Sequence, residues 1–531
     1  MALKDDLITA RSYIVFVLGL LVAFSLVYYI ESKSKMPEKQ VIPPVMMVKS
    51  VVKLPHNQLP PTQNPVPSTQ QVAIESEHTI DKAVINKSVP VVAIKPALTS
   101  ELPTAAVIAS EKQEAPLVME QKHSTQMMAD NAMQAKIPDD IVATTLMVSK
   151  RKPRALTVEE MEWARVAWQY FANNTQPTGL VNSVNGYTAT TMWDTASYMM
   201  AAISAQRLGI IEKEELNQRM AKLLSALETM PLFEGQLPNK SYNTKTLAMV
   251  NYANKETTKG IGWSAIDLGR LLVPLKILKD KYPQHRASIK RVLARWKTEN
   301  MLKNGLLFGG SLTADDGLLL LQEGRLGYEQ YAAKTFGLFN WSANAAASYT
   351  NYLQYVTIED MKIAVDKRDP KKSGAYNYML SEPYFLDGLE FGFDRNSEQL
   401  AEKLFLVQER RFKRTGIVTA VSEDHIDVSP YFVYNTVYVA GQAWATITDK
   451  GADASAYRTL STKTAFAWYA LYQHPYSNQL IKSVKDLYQL DQGWFAGVYE
   501  QGKRPNKVIT ENTNAIVLES LAYIKMGKLL P

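Results

Sequence analysis

The chain has 531 residues, 59 Lys and Arg against 52 Asp and Glu, 9 Trp, 27 Tyr, 15 Phe and no cysteine. The missing cysteines exclude disulfides, zinc–thiolate sites, iron–sulfur clusters and thiol nucleophiles. A net charge of +7 with no long basic run gives no case for nucleic acid as a partner.

Residues 1–11 are read as a short cytoplasmic N-terminus. Residues 12–30, SYIVFVLGLLVAFSLVYYI, carry no charge. At about 1.5 Å per residue such a helix nearly spans a hydrocarbon core of about 30 Å. Tyr28 and Tyr29 stand where an interfacial aromatic belt is expected. The run is longer than a usual signal-peptide core and no A-x-A site follows it, so it is read as a permanent signal anchor in the inner membrane. Lys4 and Arg11 precede it, and Lys33, Lys35 and Lys39 follow it. Flanking charge says little when a long domain follows, and a periplasmic C-terminal domain is expected.

Residues 31–150 hold no Phe, Tyr, Trp or Gly but 13 of the 25 prolines. Such a stretch buries too little apolar area to offset chain entropy. It is predicted to be a disordered periplasmic linker with a reach on the order of 60 Å.

Residues 151–531 are predicted to form one domain. Thr157-Val-Glu-Glu160 reads as a capping box, and Met161, Ala164, Trp168 and Phe171 follow at helical spacing. Twelve helices of two kinds alternate. Amphipathic, charged helices are predicted near 157–173, 212–229, 284–300, 357–366, 395–412 and 477–489. Helices rich in Ala, Ser, Gly and aromatics are predicted near 192–208, 263–280, 328–352, 383–392, 461–473 and 512–526. Charged faces belong outside and small or apolar ones inside. The pattern therefore predicts an all-α domain, an (α/α)6 toroid.

The loops entering the inner helices are rich in rings and polar groups: Trp193-Asp194, Tyr242-Asn243, Gly262-Trp263, Gly327-Tyr328-Glu329, Glu382-Pro383-Tyr384, Tyr434-Asn435, Gly441-Gln442-Ala443-Trp444 and Gly493-Trp494-Phe495. In a toroid they converge at one end. Aromatic faces and hydrogen-bonding groups around a hollow suit a sugar chain. Trp193, Glu234, Tyr242, Asn243, Trp263, Tyr328, Tyr384, Trp444 and Trp494 are the candidate sugar-binding residues, each with core packing as its alternative. Glycoside cleavage needs two carboxyl groups, roughly 5 Å apart for retention and 6.5–9.5 Å for inversion. Asp194 and Glu329 are the first candidates, then Asp267 and Glu382; helix capping is the alternative reading of each. The acidic clusters Asp315-Asp316 and Glu423-Asp424-His425-Ile-Asp427 are read as solvated turns, because calcium-loop spacing is missing. Gly260-Ile-Gly-Trp-Ser-Ala265 follows no strand pattern, so no dinucleotide is expected. Six scattered histidines without H-E-x-x-H leave no cofactor or metal to expect.

The stretch Trp193-Asp-Thr-Ala-Ser-Tyr-Met-Met-Ala-Ala-Ile-Ser-Ala-Gln-Arg-Leu-Gly-Ile-Ile211 resembles the inner helices of bacterial glucoamylase-like toroids such as endo-β-1,2-glucanases. A nearer resemblance, over 156–528, is to an envelope family catalogued as domain of unknown function 3131. It rests on Leu237-Pro-Asn-Lys-Ser-Tyr-Asn-Thr244, Arg325-Leu-Gly-Tyr-Glu-Gln-Tyr331, Ser381-Glu-Pro-Tyr-Phe-Leu386, Tyr434-Asn-Thr-Val-Tyr438, Gly493-Trp-Phe-Ala-Gly497, Glu511-Asn-Thr-Asn514 and Leu518-Glu-Ser520. The resemblance implies the toroid and a bacterial surface-polysaccharide setting, and it assigns no catalytic residue. The expected activity is a membrane-anchored periplasmic glycoside hydrolase or transglycosidase acting on a bacterial glycan. The alternatives are a non-catalytic glycan-binding or envelope-assembly protein and a cell-wall organiser. The expected partners are a polysaccharide or oligosaccharide, the inner membrane through 12–30, and envelope polysaccharide machinery.

Overall fold

Thr157 opens the first helix as the sequence predicts: its hydroxyl caps the Glu160 amide, and the Glu160 carboxylate accepts from the Thr157 amide. The computed structural model describes residues 148–531 apart from 314–316, 369 and 371–375. The segment 12–30, the linker as far as 147 and the pair Asp315-Asp316 lie outside the described residues. Val148, within the stretch read as linker, is buried and donates its amide to Glu402 at 2.6 Å. Among the described residues no helix is long and apolar enough to cross a membrane.

Eleven α-helices are described: Val158–Asn174 (α1), Met192–Leu208 (α2), Lys213–Thr229 (α3), Ala265–Lys281 (α4), Arg286–Ala294 (α5), Tyr328–Gly337 (α6), Glu382–Leu386 (α7), Arg395–Thr415 (α8), Thr462–Leu471 (α9), Pro475–Val484 (α10) and Glu511–Met526 (α11). A ring closes through α2, α4, α6, α7, α9 and α11, each packed on the next, with α11 returning onto α2. These are the helices without a polar face. In α2 every residue from 192 to 205 except Trp193 is buried; in α11 every residue from 511 to 524 except Asn512 is buried. Small residues permit close approach: in α4, a Cβ on Gly269 would lie 3.2 Å from that of Ala332 in α6. Helices α1, α3, α5, α8 and α10 pack outside the ring. Their stripes, such as Leu216, Met220, Leu223, Leu224 and Leu227 of α3, are buried. Each such side chain contributes about 1.5–3 kcal/mol on burial.

The all-α expectation is corrected in two places. The outer helix expected at 357–366 is an antiparallel hairpin, Leu353–Ile358 with Met361–Asp366. Its β-branched and aromatic residues suit a pleated surface. Glu359 and Asp360 both take positive φ, 47° and 55°, the geometry of a two-residue hairpin turn. The second difference is at the rim, where short strands run directly into inner helices: Ala189–Thr191 into α2, Gly262–Trp263 toward α4 and Thr459–Ser461 into α9. Leu306–Leu312 pairs with Gly262–Trp263 and with Leu318–Gln322. Glu423–His425 pairs with Phe432–Asn435, which pairs in turn with Thr446–Ile447. Two inner helices are also shorter than expected: α6 ends at Gly337, and α7 passes after Leu386 into a π-turn, Asp387–Phe391.

The ring is not filled by hydrocarbon alone. Arg270 of α4 lies on its axis with no exposed surface. It bonds Glu390 of the π-turn at 2.9 Å and Glu519 of α11 at 3.0 Å. Tyr331 of α6 donates to Glu390 at 2.7 Å. At the end away from the strands, Leu529 and Leu530 bond the carbonyls of Leu389 and Glu390 and are themselves buried.

Candidate active site

Every inner helix brings its first turn to the same rim. Trp193 and Asp194 come from α2, Asp267 from α4, Tyr328 from α6, Glu382 from α7, Lys463 from α9, and Asn512 with Thr513 from α11. Thr191, Ser264 and Thr510 cap α2, α4 and α11 through their hydroxyls. A cavity of about 320 Å³ opens among these first turns and the strands above them. All but Glu382 of the residues just named line it.

Rings form its walls. Trp193 stands edge-on to Tyr328 at 5.7 Å, with Arg270 4.9 Å from its ring. Tyr378 and Tyr434 stack at 3.9 Å, and Phe432 meets Tyr434 edge-on at 5.2 Å. Tyr187, Tyr252 and Tyr376 complete the aromatic lining.

Five carboxyl groups face the same space: Asp194, Asp267, Glu323, Glu423 and Asp424. Burial disfavours their charged forms. It pushes Asp194 up to about 6, although the Thr191 hydroxyl, donating at 2.9 Å, opposes it. Burial and then Glu323 push Asp267 to about 7. Glu323 also lies above the usual carboxyl range because of burial; it accepts from the amides of Ala265 and Ile266 and so caps α4 from the neighbouring strand. Burial and then Glu382 push Glu423 to about 8; Tyr328 donates to it at 2.8 Å. Asp424 rises to about 7 through burial, with Lys463 opposing; Ser461 donates to its Oδ1, and its Oδ2 has no partner.

Glu382 behaves differently. It is fully buried, and burial alone would raise it. Lys463 Nζ at 2.5 Å, then Asn512 at 2.7 Å and the charge of Arg270, instead hold it below the usual range, and Ser422 donates to it at 3.0 Å. His425, beside these groups, is lowered to about 4 by burial and then by Lys463, so its imidazole is neutral near pH 7. Among the described residues no group of three or more His, Asp or Glu is arranged to hold a metal ion.

Of the residues singled out in the sequence, the cavity gathers Asp194, Asp267, Trp193 and Tyr328. Glu329 is not among its lining residues: Arg368 holds it at 2.7 Å and Gln322 at 2.9 Å. Glu382 sits behind the wall. Glu234 is exposed in the turn of a small hairpin. Tyr242, Trp263, Tyr384 and Trp494 are core. The Trp263 ring fills the space above Gly310, where a Cβ would come within 2.5 Å of it. The Trp494 indole donates to the Trp163 carbonyl. Asn243 bonds Asn254 and caps the amides of Lys245 and Thr246. Trp444 donates to Glu359 under the 353–366 hairpin.

The residues not singled out are Glu323, Glu423, Asp424, Lys463, Tyr376 and Tyr378. Glu423 and Asp424, read as a solvated turn, belong instead to a strand, Glu423–His425, and Asp424 is buried. The alternation that runs from 431 to 439 was the available signal, because Glu423 pairs with Tyr434 across it.

A family model described as a protein of unknown function, DUF3131, matches residues 162–527. No curated protein matches by sequence. Among solved structures, a β-1,2-glucanase from Parabacteroides distasonis superposes with a TM-score of 0.50 at 13% identity, over 71% of this chain and 58% of that one. An endo-β-1,2-glucanase from Chitinophaga pinensis, in complex with sophorotriose and glucose, gives 0.48 at 10% identity over 70% and 94%. One from Talaromyces funiculosus with sophorose gives 0.48 at 10% identity over 70% and 84%. The first of these shows a shared fold.

Proposed function

The chain belongs to the DUF3131 family, and we propose that it cleaves or transfers glycosidic bonds in a bacterial glycan. The observation that carries this is the set of carboxyl groups around one aromatic-walled hollow, displaced to different extents from their ordinary values. Acid and base roles follow from such separation. Glu423, raised to about 8, keeps its proton at pH 7 and gives it to the glycosidic oxygen. Asp194, raised to about 6, is mostly ionised there and activates water or attacks the anomeric carbon. Asp267 and Asp424 are the next candidates. Trp193 and the Tyr378–Tyr434 stack offer faces to the sugar rings, and the hydroxyls of Ser183, Ser241 and Thr510 line the space where sugar hydroxyls would lie. The uncharged run at 12–30 and the proline-rich stretch after it support a membrane-anchored, periplasmic setting near polysaccharide machinery.

The test is release of reducing ends by the full chain from a panel of β-glucans and bacterial exopolysaccharides. The fold shared with a β-1,2-glucanase makes that polymer the first to try. Asp194→Asn and Glu423→Gln should each lower the rate by about 10²–10⁴-fold with the melting temperature held. Binding of a glycan with no release from any polymer would favour the second reading, a non-catalytic glycan-binding or envelope-assembly protein, which needs the aromatic walls but no paired acids.

A further inference from the structure

We propose that the Lys463–Glu382 ion pair is a positioning element that tunes the protonation of the cavity's carboxyl groups. This rests on the acid–base reading of the cavity given above.

The pair joins the first turns of two neighbouring inner helices, α7 and α9. A third neighbour, α11, fixes it through Asn512, and the loop before Glu423 adds Ser422. The two members are placed asymmetrically. Lys463 lines the cavity, whereas Glu382 has no exposed surface and lies behind it. Glu382 therefore cannot touch a substrate without rearrangement, and its influence has to be exerted through its neighbours.

Those neighbours come from every element around the pair. Lys463 faces Glu382 at 2.5 Å and Asp424 at 3.9 Å, and its charge also reaches Glu423, Asp194 and His425. Glu382 faces Lys463, and its charge reaches Asp194, Glu423, Asp424, Tyr328 and the axial Arg270. Asp194, Glu423 and Asp424 thus each feel both charges, with opposite signs: Glu382 favours their protonated forms and Lys463 their ionised forms. A carboxyl group close to a cation loses its proton more easily, and one close to an anion holds it. Burial raises all three, and the difference between the two opposing charges then adjusts how far each is raised. That difference is stable only while both partners are held in register, which the hydrogen bonds from Asn512 and Ser422 ensure.

The consequence is a sign test that ordinary structural support does not pass. Glu382→Gln removes the anion, leaves Lys463 facing the cavity, and should lower the titration midpoints of Asp424, Glu423 and Asp194 by about one pH unit. Lys463→Met leaves the anion and should raise the same midpoints by a similar amount. The double variant should return them toward wild type, and Lys463→Arg should keep them. The readout is an infrared titration of the protonated-carboxyl carbonyl band in the full chain, assigned by subtraction with Asp424→Asn. It needs no substrate. If Lys463→Met does not fold, Glu382→Gln, which preserves shape, and Lys463→Arg decide alone. Shifts in one common direction, or no shift in Glu382→Gln, would overturn the proposal. Opposite shifts in a protein that cleaves and binds no glycan would leave the pair's role standing and remove the glycosidase reading; cleavage without the shifts would do the reverse.

Discussion

Two groups of buried charge lie within this ring, built from similar residues and put to opposite ends. On the axis, one Arg faces two Glu and a Tyr, with Arg270, Glu390 and Glu519 all inaccessible. At the rim, Lys463 faces Glu382 and Asp424, with Asp194 and Glu423 close by, and one side is open. The axial group is closed by protein, and its ion pairs are made within itself. Both groups have more acids than cations, and both hold raised carboxyl groups, Glu519 on the axis to about 8 and Asp194, Glu423 and Asp424 at the rim; the rim group differs in facing a cavity. A closed charge cluster fixes helices in place; an open one keeps protons available.

The comparison is broken most severely by Arg270→Met. It would leave Glu390 and Glu519 buried without their cation, and breaking a buried pair from one side costs about 3–5 kcal/mol. Chemical denaturation should show that loss; an unchanged midpoint would mean that the axial charges are not structural. Asp424→Asn should act in the opposite sense. Its carboxyl is raised when folded, to about 7, so its contribution to stability is complete below the unfolded value and is lost as pH rises through about 7. At pH 8 the wild type carries a buried carboxylate that Asn does not. The variant should be more stable there by on the order of 4 kcal/mol, and the gain should vanish at pH 4. The gentlest probe is the pH profile of any glycan cleavage. Asp194 must ionise as pH rises through about 6, and Glu423 must keep its proton until about 8. The rate should peak between them and fall about tenfold per pH unit outside. A flat profile would detach both residues from the chemistry.

Helical periodicity carried most of the fold because it is local: Met192–Leu208 and Lys213–Thr229 are where stripes and caps put them. The 353–366 hairpin was hidden because its apolar and charged residues also fit a helix period, and only the positive φ of Glu359 and Asp360 reveals the turn. In the site, Asp194 and Asp267 were legible as first-turn acids behind a capping hydroxyl. Glu329 and Glu382 look the same in sequence. What separates them is an Arg and a Lys from distant segments, Arg368 and Lys463, and such pairings are tertiary. Glu423 and Asp424 were hidden for the same reason, since a strand carries them to α9. The Gly–Trp pairs misled because the glycine marks a close approach, of backbone at Gly262 and of the Asn514 side chain at Gly493. A Cβ on Gly262 would lie 1.9 Å from the Gly310 carbonyl oxygen, so Trp263 is clamped inside.

All six inner helices start at one rim, and that gives the molecule two faces of unequal tolerance. Lengthening a segment that leads into an inner helix alters the cavity directly. The far face, where Gly209 ends α2 and Leu529 and Leu530 seal the ring, is separated from the chemistry by the whole length of the helices. Reporter groups, affinity handles or a fused partner placed beyond Gly209 should leave the cavity undisturbed, which makes that side the place to hold the molecule while its substrate is sought.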